Sequence, residues 1–208
     1  MPPADRARGP EARREPEARR EPEGLHASAV RELGRWRGAD PQQESLRESY
    51  LAHLAEHPDG MWRACRAGHL TASAIIVDPV RERVLLTLHP TVGRWLQTGG
   101  HCEPADVSLR DAASREAREE SGIADISVVA GITRLDRHAV LCREGSASSR
   151  LHHLDVQYAI VAPPDSVPVR SSESVDLRWW PWDALPEPTD ASVRLLVAAA
   201  RAQLMPSR

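Results

Sequence analysis

The chain has 208 residues, and its 27 basic and 30 acidic side chains leave a formal net charge of −3. That balance gives no global field to draw in a polyanion, which disfavours a dedicated nucleic-acid binder. A hydrophobic share of 41% is enough to build a packed core and excludes wholesale disorder.

Residues 1–24 carry a perfect six-residue repeat, Glu-Ala-Arg-Arg-Glu-Pro from Glu11 to Pro16 and again from Glu17 to Pro22, with no large apolar residue between Pro2 and Gly24. Such a segment cannot bury enough surface to offset its ordering entropy, so it reads as a disordered mixed-charge tail. It also lacks the apolar stretch of a signal peptide. All the basic residues of the chain are Arg, and Lys, Asn and Phe are absent. A GC-rich codon bias explains this, so the arginines do not by themselves point to phosphate.

Residues 25–68 form a helical extension. Val30, Leu33 and Trp36 predict a first short helix, and Leu46, Tyr50, Leu51 and Leu54 a second that stops at His57-Pro58-Asp59-Gly60. The main domain runs over residues 69–205. Residues 70–77 and 83–88 read as strands, the first of them central because Ile75-Ile76-Val77 is apolar on both faces. A short strand over residues 93–100 runs into the pair Gly99-Gly100, and a helix follows over about 108–121. Further strands are expected at 126–138 and 152–162, joined by a polar Gly/Ser connection over 144–149, and at 177–182. Thr189-Asp190 can cap a terminal helix with Val193, Leu195, Leu196 and Leu204 on it. Strands on either side of helices indicate an α/β or α+β sandwich. No stretch approaches the roughly 18 consecutive apolar residues of a membrane span. Cys65, Cys102 and Cys142 are widely spaced and odd in number, which argues against a disulfide framework and fits a reducing, cytoplasmic setting.

The informative segment is the helix after the glycine pair. Ser108 and Asp111 resemble a capping box, Ala112, Ala113 and Ala117 favour helix, and Gly122 suits the position just past its end. Glu116, Glu119 and Glu120 then fall at i, i+3 and i+4. They repel one another and stand at the negative end of the helix dipole, so the arrangement opposes local stability twice. At about 100° per residue they share an arc of about 160° with Leu109 and the alanines. Arg110, Asp111, Ser114, Arg115 and Arg118 fill the other side. Inward carboxylates that repel one another call for a divalent cation with oxygen ligands, Mg²⁺ or Mn²⁺. Gly99 and Gly100 leave room for a backbone carbonyl and a substrate to approach the same ion. Metal and carboxylates beside a glycine turn are the apparatus of phosphate chemistry.

The segment resembles the signature of the Nudix hydrolase superfamily, G-x5-E-x7-R-E-U-x-E-E-x-G-U with U aliphatic. Arg115-Glu-Ala-Arg-Glu-Glu-Ser-Gly-Ile123 matches its second half and Gly99-Gly100 its start. Asp106 stands where the pattern has Glu, and eight residues rather than seven separate it from Arg115, which puts the extra residue in the loop before the helix. The resemblance implies a Nudix-type α/β/α sandwich around a mixed sheet, and hydrolysis of a nucleoside diphosphate linked to another moiety. It also implies roles: Glu119 and Glu120 as principal metal ligands, Glu116 as a further ligand or the base, Arg115 as its orienter, and the Gly99 carbonyl in the metal shell. Glu173, just before Leu177-Arg-Trp-Trp, is the candidate for an additional acid. Gly100 would lie against the substrate.

On the predicted strands, Asp136 and His138 share one face, as do His153 and Asp155, and the two strands could pair. Hydrogen-bonded His/Asp pairs on a half-polar face are the expected outcome, with His138 and His153 as substrate-binding candidates or part of a second metal site. Trp179, Trp180 and Trp182 are expected to pack. Cys102 has no lysine to activate it as a nucleophile. The implied partner is a small nucleoside diphosphate derivative, not nucleic acid or membrane, in an unspecified oligomeric state. Two alternatives differ in class: a non-catalytic Nudix-like nucleotide sensor, motivated by Asp106 and the altered spacing, and a Nudix-fold isoprenoid diphosphate isomerase, suggested by Cys102.

Overall fold

The computed structural model describes residues 24–144 and 147–205. Along them run α1 (Leu25–Arg35), α2 (Pro41–Glu56), β1 (His69–Asp78), β2 (Arg83–Leu88), β3 (Trp95–Leu96), β4 (Thr98–His101), α3 (Leu109–Ser121), β5 (Ser127–Val128), β6 (Arg134–Glu144), β7 (Ala147–Val161), β8 (Asp176–Pro181) and α4 (Ala191–Leu204). The mixed-charge repeat expected to form a tail lies outside the described residues.

The strand that is apolar on both faces is central, as its sequence requires: β1 is buried at every position. On one edge it pairs antiparallel with β2 at Ile76–Asp78 and with β4 at Thr71–Ala74. On the other it pairs parallel with β7, from His69↔His153 to Val77↔Val161. The described strands form one mixed sheet, with β8 beyond β2 and β6 beyond β7.

Alternation along β1 sends its side chains into two cores. Leu70, Ala72, Ala74 and Ile76 pack with Leu109, Ala112, Ala113 and Ala117 of α3 and with Leu33, Tyr50 and Leu54 of the N-terminal helices. Ile75 and Val77 pack with Val193, Leu196 and Val197 of α4. This is the expected α/β/α sandwich. α4 covers only the far end of its face. At the near end the same face presents His69, Thr71 and Ser73, and Thr71 and Ser73 line a cleft.

The N-terminal helices finish the sheet. Among the described strands β6 pairs only with β7, and it would otherwise offer an open edge. Gln43, 2% exposed, covers it: its Oε1 accepts from the Leu135 N–H at 2.8 Å and its Nε2 donates to the Leu135 carbonyl at 3.0 Å. Trp36 Nε1 donates to the Ile132 carbonyl, and Tyr50 Oη to the Asp136 carbonyl at 2.6 Å.

One expected connection is shorter than anticipated. Pairing of β6 with β7 continues through Cys142↔Ser149 to Glu144↔Ala147, so most of the polar stretch 144–149 is strand. Antiparallel backbone bonds override the weak strand preference of Ser148 and Ser149 there.

Candidate active site

α3 is built as its sequence demands. Ser108 Oγ accepts from the Asp111 N–H and donates to the Asp111 carboxylate, and Gly122 ends the helix in the left-handed conformation at φ 67°. Ser114, expected on the outer side, is buried instead and bonds back to the Arg110 carbonyl. The last two turns direct Glu116, Glu119 and Glu120 to the cleft of about 630 Å³ that Thr71, Ser73 and Glu173 also line.

The glycine pair makes this approach possible. A Cβ on Gly100 would lie 2.7 Å from Glu116 Cδ, and one on Gly99 2.6 Å from Ser73 Cα. With no side chain in the way, β4 fits against β1 on one side and against the α3 carboxylates on the other. Glu120 Oε1 accepts from the Gly99 N–H at 2.7 Å.

Arg115 ties the cluster together. It donates to Glu116 at 3.0 Å, to Glu119 at 3.1 Å and to the His101 carbonyl at 2.9 Å. It also binds Asp106, 8% exposed, the residue that departs from the family pattern, and its Nη1 lies 3.8 Å from Glu103. The inserted residue is thus absorbed in the loop between β4 and α3, while Asp106 turns inward to meet Arg115.

The carboxylates are short of compensation. Burial first, then Glu119 and Glu173, raise Glu116 above the usual carboxylate range against the pull of Arg115. Burial, reinforced by Glu116, Glu173 and Glu119, pushes Glu120 up to about 7 despite the Gly99 N–H. An all-oxygen donor set in which negative charge is this costly fits a hard divalent cation. Glu173, in the loop before β8, lines the same cleft, as does Gly100.

The floor of the cleft is the polar end of the sheet. Asp136 and His138 stand directly opposite Asp155 and His153, so the two strands do pair. His138 Nδ1 and Asp136 share a hydrogen bond of 2.9 Å, but Asp155 is held by Thr71 at 2.9 Å, Ser73 at 2.6 Å and Gln157 at 3.0 Å rather than by a histidine. Burial raises its carboxyl against those bonds. His153 instead meets His69 and His101, both missed in the sequence because strand pairing alone brings them there.

Trp182 is buried, Trp95 and Trp180 make an edge contact, and Arg83 lies over Trp179; none of the four tryptophans lines the cleft, which is consistent with packing. Burial pushes the Cys102 thiol up to about 12, so it stays protonated.

A sandwich that aims Arg115, Glu116, Glu119 and Glu120 across a glycine pair defines the class as a Nudix-type pyrophosphate hydrolase. The chain belongs to the Nudix family, with a NUDIX domain matched over residues 68–200. It is similar to a Nudix-family hydrolase from Clostridium perfringens, 24% identical, covering 68% of this chain and 98% of that one with a TM-score of 0.48. A C. elegans Ap4A hydrolase is 17% identical, with coverage of 65% and 96% and a TM-score of 0.49. The NUDIX domain of Shewanella oneidensis NrtR, solved with ADP ribose, is 21% identical, with coverage of 74% and 97% and a TM-score of 0.48. No curated protein matches the sequence. Among the described residues, no helix is long and apolar enough to cross a membrane.

Proposed function

We propose that this chain cleaves the diphosphate bond of a small nucleoside diphosphate derivative, using Mg²⁺ or Mn²⁺ held by Glu116, Glu119, Glu120 and the Gly99 carbonyl. The observation that carries the reading is the convergence of three α3 carboxylates and Glu173 on one cleft, with Glu120 raised to about 7 by burial and like charge. When bound, such a cation neutralises phosphate charge and lowers the pKa of a water. The protein's own groups do the rest. Glu116, steadied by Arg115, is placed to take the proton of the attacking water, and Glu120 is a second acceptor near the pKa such a base needs. Glu173 supplies a further acid on the facing loop. Gly100 leaves space for the diphosphate, and His138 and His153 on the cleft floor are placed to meet the rest of the substrate. A cytoplasmic setting is part of the same reading and is supported by the free thiols Cys65 and Cys102.

The test is product release from a panel of nucleoside diphosphate derivatives with and without Mg²⁺. Neutralising Glu119 and Glu120 together (Glu119→Gln/Glu120→Gln) is expected to lower kcat/KM by roughly 10²- to 10³-fold or more, the scale of several kcal/mol of charge stabilisation. Unchanged turnover in that double variant would overturn the assignment. Binding without turnover by the unaltered chain would point to a sensor instead.

A further inference from the structure

Beyond the carboxylates, the sheet gathers a second set of ligating side chains. The parallel pairing of β1 with β7 sets His69 opposite His153. The antiparallel pairing of β1 with β4 sets His101 opposite Thr71, two residues along β1 and therefore on the same face. The three rings form a nearly equilateral triangle, with centroids 5.0 Å apart for His69–His101, 4.9 Å for His69–His153 and 5.0 Å for His101–His153. One nitrogen from each lies within 4.8 Å of the other two.

Ordinary packing does not explain this arrangement. His69 is fully buried, yet neither of its ring nitrogens has a hydrogen-bond partner of normal geometry, and Nε2 of His101 is likewise buried and unpaired. His138 meets His153 edge-on at 5.5 Å but is already bonded to Asp136. The one cationic side chain acting on all three histidines, Arg63, is exposed, so solvent screens it.

We propose that His69, His101 and His153 form a second metal site, separate from the carboxylates, that takes a late first-row transition ion, with Zn²⁺ the best match. Three imidazoles select such an ion over Mg²⁺, which prefers oxygen. Zn–N bonds of about 2.0–2.1 Å in a tetrahedral arrangement need ligand nitrogens about 3.3 Å apart, within reach of side-chain adjustment. His101 and His153 also line the cleft, so the fourth position opens toward it and is available to water or a substrate oxygen. The site does not depend on the catalytic reading of the glutamates.

The experiment uses the full chain, stripped with chelator and held in excess Mg²⁺ so that the carboxylates are occupied. Co²⁺ is titrated in as a spectroscopic probe and then displaced with Zn²⁺. One equivalent with the intense visible absorption of a tetrahedral ion is expected, abolished by Zn²⁺. His101→Gln and His153→Gln should each weaken Co²⁺ binding by more than the roughly 10–100-fold that loss of an outer partner costs. The double variant Glu119→Gln/Glu120→Gln should keep it. Because His69 is in the core, the decision rests on the two partly exposed histidines, with circular dichroism confirming that the variants fold. A weak octahedral spectrum, unaltered Co²⁺ affinity in both folded histidine variants, or loss of the signal in the glutamate variant would overturn the site.

Discussion

Arg115 holds Asp106 through two matched bonds, Nε to Oδ1 and Nη2 to Oδ2, each 3.1 Å long. The guanidinium that orients Glu116 is therefore itself oriented by the residue that departs from the family pattern. Its own pKa is raised further, chiefly by that bond. Asp106→Ala is expected to cost about 2–4 kcal/mol of stability, because it removes charge-assisted bonds and leaves part of a half-buried cation unpaired. Arg115→Lys cannot reproduce the fork and should lower kcat more than it raises KM. Denaturant titration and steady-state kinetics on the two variants check both statements.

Glu120 makes stability depend jointly on pH and metal. Its carboxyl is raised from the ordinary 4.5 to about 7 in the folded chain. A raised folded pKa gives a contribution fully present below about 4.5 and lost as pH climbs through about 7. In chelator, Tm should therefore fall across that window, and Glu120→Gln should flatten the fall. A divalent cation needs the ionised carboxylate, so the rise in Tm on adding Mg²⁺ should be larger at about pH 8 than at about pH 5. Equal Mg²⁺ increments at the two pH values would count against Glu120 as a ligand.

Gly100→Ala separates packing from catalysis. The new Cβ would stand 2.7 Å from Glu116 Cδ, and Glu116 can yield only by moving away from Arg115 or its neighbours. The expected stability loss is modest, about 1–3 kcal/mol for an overpacked methyl. Activity should fall by about 10²-fold, the typical result of shifting a reacting group by an ångström. Thermal melts set beside kcat measurements distinguish this from general unfolding.

What could be read in advance follows how locally each feature is encoded. The capping residues Ser108 and Asp111, the alanine stripe and the left-handed Gly122 all lie within one helix, so α3 and its carboxylate face are legible in the sequence. The pairing of Asp136 and His138 with Asp155 and His153 is legible because β6 and β7 are neighbours in the chain. His69 and His101 are different. They reach His153 only because β1 pairs parallel with a strand some eighty residues away and antiparallel with β4, and no local periodicity encodes either pairing. The bond between Asp106 and Arg115 is hidden for a related reason: it depends on how the loop before α3 folds back.

Gln43 is equally silent in the sequence, where nothing marks it out from its polar neighbours. In the fold it satisfies both backbone groups of Leu135 on the outer edge of β6, at 2.8 Å and 3.0 Å. Gln43→Leu keeps the volume and removes both partners, leaving a buried N–H and a buried carbonyl unpaired. At about 1–3 kcal/mol per unsatisfied group, the expected destabilisation is about 2–6 kcal/mol, seen as a lower denaturant midpoint at unchanged m. Trp36→Phe removes one bond to the Ile132 carbonyl and should cost less, about 1 kcal/mol. A loosened α2 also uncovers a strand edge able to pair with another chain, so Gln43→Leu should aggregate on heating below the temperature at which the unaltered protein does. Light scattering during a thermal ramp reads this out, and a midpoint and aggregation temperature both unchanged would show that the N-terminal helices do not hold the edge of the sheet.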